Sequence, residues 1–152
     1  MAFEARDIEI ERTEDGLWVA GAAGRGRLSQ ISNTVIRIDV EGHAYSEFAQ
    51  AMQPSMDELV RHRGRLYLGI DAEGMTSYDA RFRYLWTEWI KANDRAIDGL
   101  LILFRSRVVQ SAAVIINAVT GGELVEACDD REEFEDRLAA AVLSCRKSAA
   151  GM

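Results

Sequence analysis

The spacing of apolar and polar residues changes several times along this chain, and each change marks an element. Ile8-Glu9-Ile10-Glu11 alternates, Asp15-Gly16 is a tight-turn pair, and Leu17-Trp18-Val19-Ala20 resumes an apolar run. Two such runs joined through Asp-Gly predict a β-hairpin. The glycine-rich stretch Gly21 to Arg27 reads as a flexible loop, because glycine asks only for permissive backbone angles. It has neither the Gly-Lys-Ser/Thr ending of a phosphate-binding loop nor the spacing of a dinucleotide fingerprint. From Val35 a period of two returns, with Ile36, Ile38 and Val40 on one face and Arg37 and Asp39 on the other. The period then lengthens to that of a helix, through Phe48, Ala49, Met52, Met56, Leu59 and Val60, with Ser46 as a candidate cap. Pro54 predicts a kink or break near Gln53, the second half running to about Arg61.

The next stretch, Leu66 to Phe104, is the most informative. Leu66-Tyr67-Leu68-Gly69-Ile70 reads as a strand and Asp71 to Asp79 as an acidic turn leaving it. A helix capped by Ser77 carries Tyr78, Phe82, Leu85, Trp86, Trp89 and Ile90 at three- and four-residue spacing, which makes both tryptophans core residues. Leu100 to Phe104 is apolar throughout, as in a strand covered on both faces. Arg107 to Thr120 is a helix apolar nearly all round, stopped by Gly121-Gly122. Leu124 to Cys128 is a last short strand. Asp130, with Glu133 three residues on, opens a helix whose stripe is Phe134, Leu138, Ala141 and Val142.

A hairpin followed by four strand–helix pairs predicts one α/β domain, a two-layer sandwich with a mixed sheet and about four helices mainly on one face. Residues 1–34 form the hairpin and glycine-rich loop, 35–145 the core, and 146–152 a frayed tail.

Composition narrows the chemistry. A length of 152 residues fits one domain. A formal charge of −7, with arginines scattered along the chain, argues against a nucleic-acid partner. The two cysteines, Cys128 and Cys145, and the two histidines, His43 and His62, make no metal motif. No cofactor motif is present. The first residues are charged where a signal peptide is apolar, no run is long enough to span a membrane, and a cytoplasmic protein is expected.

The layout resembles the STAS domain, the fold of anti-sigma-factor antagonists, and in particular its SpoIIAA-like branch. The resemblance covers roughly Val35 to Val142. It is carried by Leu68-Gly69-Ile70-Asp71, by the Gly99 to Phe104 strand, by Ser106-Arg107-Val108-Val109 opening a helix that ends Asn117 to Gly122, and by Asp129 to Phe134. In phosphorylation-switched members of that family an Asp-Ser pair starts the helix after the second parallel strand, and the serine takes phosphate from a partner kinase. Laid on this chain, the aspartate falls on Asp79 and the serine position on Ala80, which has no hydroxyl. The usual switch is therefore expected to be missing. Ser77 and Thr76, one turn away, are substitutes or simply caps.

The expected function is a non-enzymatic regulatory or protein-interaction module with a protein partner. Its contact surface comprises Asp71, Glu73, Met75, Thr76, Ser77, Asp79, Arg105 and Arg107. For catalysis Asp71, Glu73 and Asp79 are the candidate acid–base carboxylates, and His43 could be a base. Nothing in the sequence identifies a nucleophile or oxyanion site to partner them, and a lone histidine after a strand reads as structural or exposed. An alternative of a different class is a carrier of a small apolar or lipid-like ligand. The Val108 to Val119 helix would then line a cavity beside Trp86 and Trp89, and Arg105 or Arg107 would hold an acidic head group. The surplus apolar surface of that helix predicts a homodimer with Ile115 or Ile116 near its centre. The competing arrangement covers the helix with the N-terminal hairpin through Trp18.

Overall fold

The computed structural model describes residues 7–122 and 124–150, leaving out the side chains of Val119 and of residues 145–150. Seven strands form one sheet in sequence order: β1 (Glu9–Thr13), β2 (Gly16–Ala20), β3 (Gly24–Gln30), β4 (Val35–Ala44), β5 (Leu66–Tyr78), β6 (Ile97–Phe104) and β7 (Val125–Cys128). The first four run antiparallel and the last four parallel. Helices α1 (Ser46–Arg63), α2 (Ala80–Asn93) and α3 (Arg107–Val119) connect the parallel strands, and α4 (Arg131–Ala150) follows β7.

Strand order never reverses, so every right-handed crossover falls on the same side of the sheet. α1, α2 and α3 accordingly share one face. Phe48, Met52, Met56, Trp86, Ile90, Val109, Ala113 and Ile116 pack there against Ile36, Ile38, Leu66, Leu68, Leu100 and Ile102. α4 has no following strand to constrain it and takes the other face, where Phe134 and Leu138 meet Val35, Leu101, Leu103 and Cys128. Covered on both sides, β6 is apolar at successive positions. Gly69 marks where α4 crosses β5: a Cβ there would stand 2.7 Å from Leu138 Cδ1.

Three local expectations are corrected. Only Gly21 to Ala23 of the glycine-rich stretch form a loop; Gly24 to Arg27 begin β3 and pair with Gly42 to Asp39 of β4. Glycine's missing side chain allows the close approach that a neighbouring strand demands. α1 is neither broken nor split at Pro54. Pro54 is exposed, so water can solvate the carbonyl it frees, while Phe48, Ala49 and Met52 before it and Met56 and Leu59 after it are buried in one core. Gln53 Nε2 donates to Leu85 O at 3.1 Å and Trp89 Nε1 to Asp57 Oδ1 at 2.7 Å, holding α2 to both halves. Finally, α4 continues through the expected tail as far as Ala150; the last two residues lie outside the described ones.

Trp86 and Trp89 are buried, as their helical spacing predicts. Trp18 does not cover α3. It lies on the opposite face of the sheet, with the Arg27 guanidinium 4.9 Å above its ring.

Candidate functional site

The expected acidic turn does not form. β5 continues through it to Tyr78, because β4 keeps pairing alongside as far as Ala44 opposite Tyr78. β6 stops earlier, at Phe104 opposite Ala72. The last part of β5 therefore projects beyond β6 with only β4 beside it, and two polar clusters form along this projection.

The first cluster sits at its base. Asp71 is 7% exposed; its Oδ2 accepts from Arg37 Nη2 at 3.0 Å and from Arg131 Nη2 at 2.8 Å. Glu73 Oε1 accepts from Arg131 Nε and Nη2 at 3.1 and 3.0 Å, and its Oε2 from Arg105 Nη2 at 3.1 Å. Arg37 also reaches Asp39 and Glu135, and lies over the Phe134 ring. Hydrogen bonds from Arg131 and then Arg105 hold the Glu73 carboxyl below its ordinary range. Burial pushes Asp39 up, against the pull of Arg37 and with Asp71 adding to the rise. The hydrogen bond to Asp71 raises Arg131 despite its partial burial. Burial alone would lower Arg37, but its bond to Glu135 and the charge of Asp39 leave it raised. Chemically this is a clasp: Arg131 at the start of α4 and Arg37 of β4 grip the carboxylates of β5.

The second cluster is at the tip. Gly42 has a φ of 73°, and the β4–β5 register shifts between Gly42 and His43. Such bulges re-aim the side chains that follow, and here His43 comes to lie opposite Ser77 in the ladder. His43 Nδ1 lies 2.7 Å from Ser77 Oγ, and Nε2 lies 2.8 Å from Asp79 Oδ1. The other oxygen of Asp79 accepts the backbone N–H of Ser46 at 2.8 Å, and its carbonyl accepts those of Phe82 and Arg83. Asp79 thus serves the first turns of both α1 and α2, where backbone donors lack helical acceptors. The edge of His43 meets the Tyr45 ring, centroid to centroid 4.9 Å, and Tyr45 Oη accepts from Ala23 N.

The expected contact residues differ in how far they are exposed. Asp71 is buried in its ion pairs, because two guanidinium groups converge on it from β4 and α4. Met75 is 7% exposed and packs into the core below α2 and α3, a consequence of β5 remaining in the sheet. Ser46 and Ser77 cap nothing: α1 is preceded by Tyr45 and α2 by Asp79. Thr76, Ser77, Arg105 and Arg107 are exposed, Glu73 and Asp79 half-buried. The fold joins Asp71, Glu73 and Arg105 in one cluster and Ser77 and Asp79 in the other. The sequence reading gives Arg37 and Arg131 no place in a site and takes His43 as structural or exposed. Each pairs with residues more than 30 positions away, and only the His43–Ser77 register links the last of these.

Between the sheet and helices α2 and α3 is a cavity of about 60 Å3. Trp86, Val109, Ala113 and Ile116 line it, together with Met75 and the stem of Arg83. Cys128 is buried, and burial pushes its thiol pKa up.

No helix among the described residues is long and apolar enough to cross a membrane. No protein-family model matches the chain, and no curated protein matches it. Solved structures do. A DUF3478-family protein from Shewanella loihica PV-4 with a SpoIIAA-like fold superposes with a TM-score of 0.55 at 15% identity, over 86% of this chain and 91% of that one. The anti-sigma factor antagonist SpoIIAA, in its unphosphorylated form, superposes with a TM-score of 0.54 at 13% identity, over 76% of this chain and 96% of that one. Identities this low speak for the fold alone: this chain has a SpoIIAA-like fold.

Proposed function

We propose that the protein is a non-enzymatic regulatory module of the cytoplasm that works by docking a protein partner on the projecting end of β5 and the start of α3. The observation that carries this reading is the shared fold with SpoIIAA, an anti-sigma factor antagonist. The exposed residues Thr76, Ser77, Arg105 and Arg107 form the contact surface, with Glu73 at its edge. Ala80 is the first residue of α2, and the resemblance to STAS domains puts the switch-serine position of such regulators on it. Partner release here does not depend on phosphorylation at that position.

Thr76→Arg places a bulky charge on the surface without touching the core. Affinity capture from source-cell lysate should return a stoichiometric protein with the unmodified chain and lose it with Thr76→Arg. Capture of no stoichiometric partner by the unmodified chain overturns the reading.

A second reading, carriage of a small apolar ligand, is favoured by the cavity beneath α2 and α3. Its volume of about 60 Å3 limits the cargo: an apolar cavity of ~150 Å3 is what accommodates benzene. A lipid chain enters only if α2 and α3 part. Arg83 at the lining is then a better head-group partner than Arg105, which is tied to Glu73. Native mass spectrometry of the purified chain should show a co-purified mass if this reading holds; bare protein counts against it.

The homodimer would use α3, but not through Ile116, which is only 7% exposed and belongs to the core. Val108, Val114 and Ile115 are large exposed apolar residues among the described ones of that helix. Ile115→Glu should turn a sedimenting dimer into a folded monomer, and a monomer for the unmodified chain at high concentration ends the idea.

A further inference from the structure

The tip of β5 brings a hydroxyl, an imidazole and a carboxylate into one line, an arrangement that partner docking does not require. Ser77 Oγ lies 2.7 Å from His43 Nδ1, His43 Nε2 lies 2.8 Å from Asp79 Oδ1, and Asp79 Oδ2 is fixed by the Ser46 N–H at 2.8 Å. A carboxylate can only accept, so in the neutral form of the ring the proton sits on Nε2 and Nδ1 presents its lone pair to the serine hydroxyl. This is the order of groups by which a serine becomes a nucleophile: a base within hydrogen-bond reach, and a third group orienting that base. Tyr45 supports the ring from the side at 4.9 Å, so its orientation is set from three directions. Ser77 itself is exposed and needs no opening of the fold to meet a reagent.

We infer that Ser77 is an acyl-accepting serine, with His43 as its base and Asp79 as the residue that positions that base, and that it takes the acyl group of a small activated ester. Ser77 Oγ attacks the ester carbonyl carbon while its proton passes to His43 Nδ1. The new Oγ–C bond forms, the carbon–leaving-group bond breaks, and the departing oxygen carries away the electron pair and can take the proton back from His43. Asp79 stabilises the imidazolium during the exchange. The inference is one transfer per chain, a covalent modification site that goes beyond the docking function without making the protein a turnover catalyst. At an exposed serine the acyl chain gains little from burial, so the reactivity of the leaving group selects the donor more than the length of the acyl chain does.

The bland role for the same three residues is to tie the ends of β4 and β5 to the start of α2. That role leaves Ser77 as inert as any surface serine, and reaction with p-nitrophenyl acetate separates the two. The full chain should release p-nitrophenolate in a single burst and carry one acetyl group, located by peptide mass spectrometry on Ser77. Ser77→Ala should lose the burst. His43→Gln should slow it by roughly 10²–10⁴-fold, the usual share of a general base. Asp79→Asn should slow it with the acetyl group still on Ser77, and Asp79→Glu should recover part of the rate. The chain unfolded in urea keeps Ser77 but loses the array, and should not be acetylated there. That control needs no variant to fold. Acetyl groups on lysines with Ser77 bare, an undiminished burst in folded His43→Gln, or equal reaction of Ser77 in urea each overturn the inference.

Discussion

Asp71 and Asp79 stand at the two ends of one acidic stretch, and the fold gives them opposite tasks. At the base, Asp71 is buried and gripped by Arg37 and Arg131, so its charge fastens α4 to the sheet. At the tip, Asp79 meets the His43 imidazole and the Ser46 backbone N–H. The difference lies in what each position meets across the sheet. The base of β5 has β6 on one side and α4 above it; among the described residues the tip has β4 and the starts of two helices beside it. Carboxylates that look equivalent in a sequence are sorted by the cations that the topology delivers to them. A guanidinium pair makes a carboxylate structural, whereas an imidazole partner leaves chemistry available.

Removing the carboxylate at the base should have the larger effect. Asp71→Ala leaves Arg37 and Arg131 facing each other without their shared acceptor. Breaking a buried ion pair costs about 3–5 kcal/mol; Arg131 is partly exposed, so the lower end, about 3 kcal/mol, is expected by urea denaturation. A loss within ~0.5 kcal/mol, the usual range for surface changes, would mean that the clasp contributes nothing.

Asp79→Ala should cost less, about 1–2 kcal/mol, because it removes an acceptor for a helix-start N–H, as loss of a cap does, and the His43 contact with it. Thermal unfolding measures this. If Asp79→Ala proved as costly as Asp71→Ala, the tip would be as structural as the base.

Independence of the two clusters is a sharper test. Asp71 and Asp79 share none of the partners described above, so the costs of the two substitutions should add within ~0.5 kcal/mol in the double variant, as they do for uncoupled sites. A larger interaction energy would merge the two clusters into one network.

The smallest effect concerns acid. The folded pKa of Glu73 is lowered from 4.5, so its contribution to stability is present above that value and is lost as pH falls through the lower folded value. The folded pKa of Asp39 is raised from 3.8; there the folded state binds the proton more tightly, and stability falls as pH rises through the window above 3.8. Glu73→Gln should therefore flatten the acid limb of a stability–pH curve, whereas Asp39→Asn should remove the opposing slope. An acid limb unchanged by Glu73→Gln would show that its pairing with Arg131 and Arg105 has no net weight.

Much of the fold follows from local patterns. The four strand–helix pairs, the burial of Trp86 and Trp89, the double-sided cover of β6 and the cap at Asp130, whose Oδ1 accepts from Glu132 N at 2.9 Å, all rest on periodicity or on residues a few positions apart. The failures share a cause as well. Gly24 to Arg27 form a strand because β4 offers them a partner. Pro54 is tolerated because a core on both sides of it outweighs one missing hydrogen bond. Asp71 to Tyr78 remain extended because β4 runs beside them to its end.

The candidate site was less legible. Its acidic members, the exposed serine and threonine, and the position of Ala80 can all be read along the chain. His43 could not be assigned a task, since a lone histidine has no periodic signature and its partners lie across a parallel ladder. The sequence by itself determined the order of elements, their apolar faces and the resemblance to a SpoIIAA-like domain, because hydrophobic spacing and capping act within a few residues. Tertiary structure alone decided which carboxylate meets arginine and which meets histidine. That choice depends on strand register, on one bulge at Gly42 and on the face that α4 covers, and these are settled only when segments distant in the chain pack together.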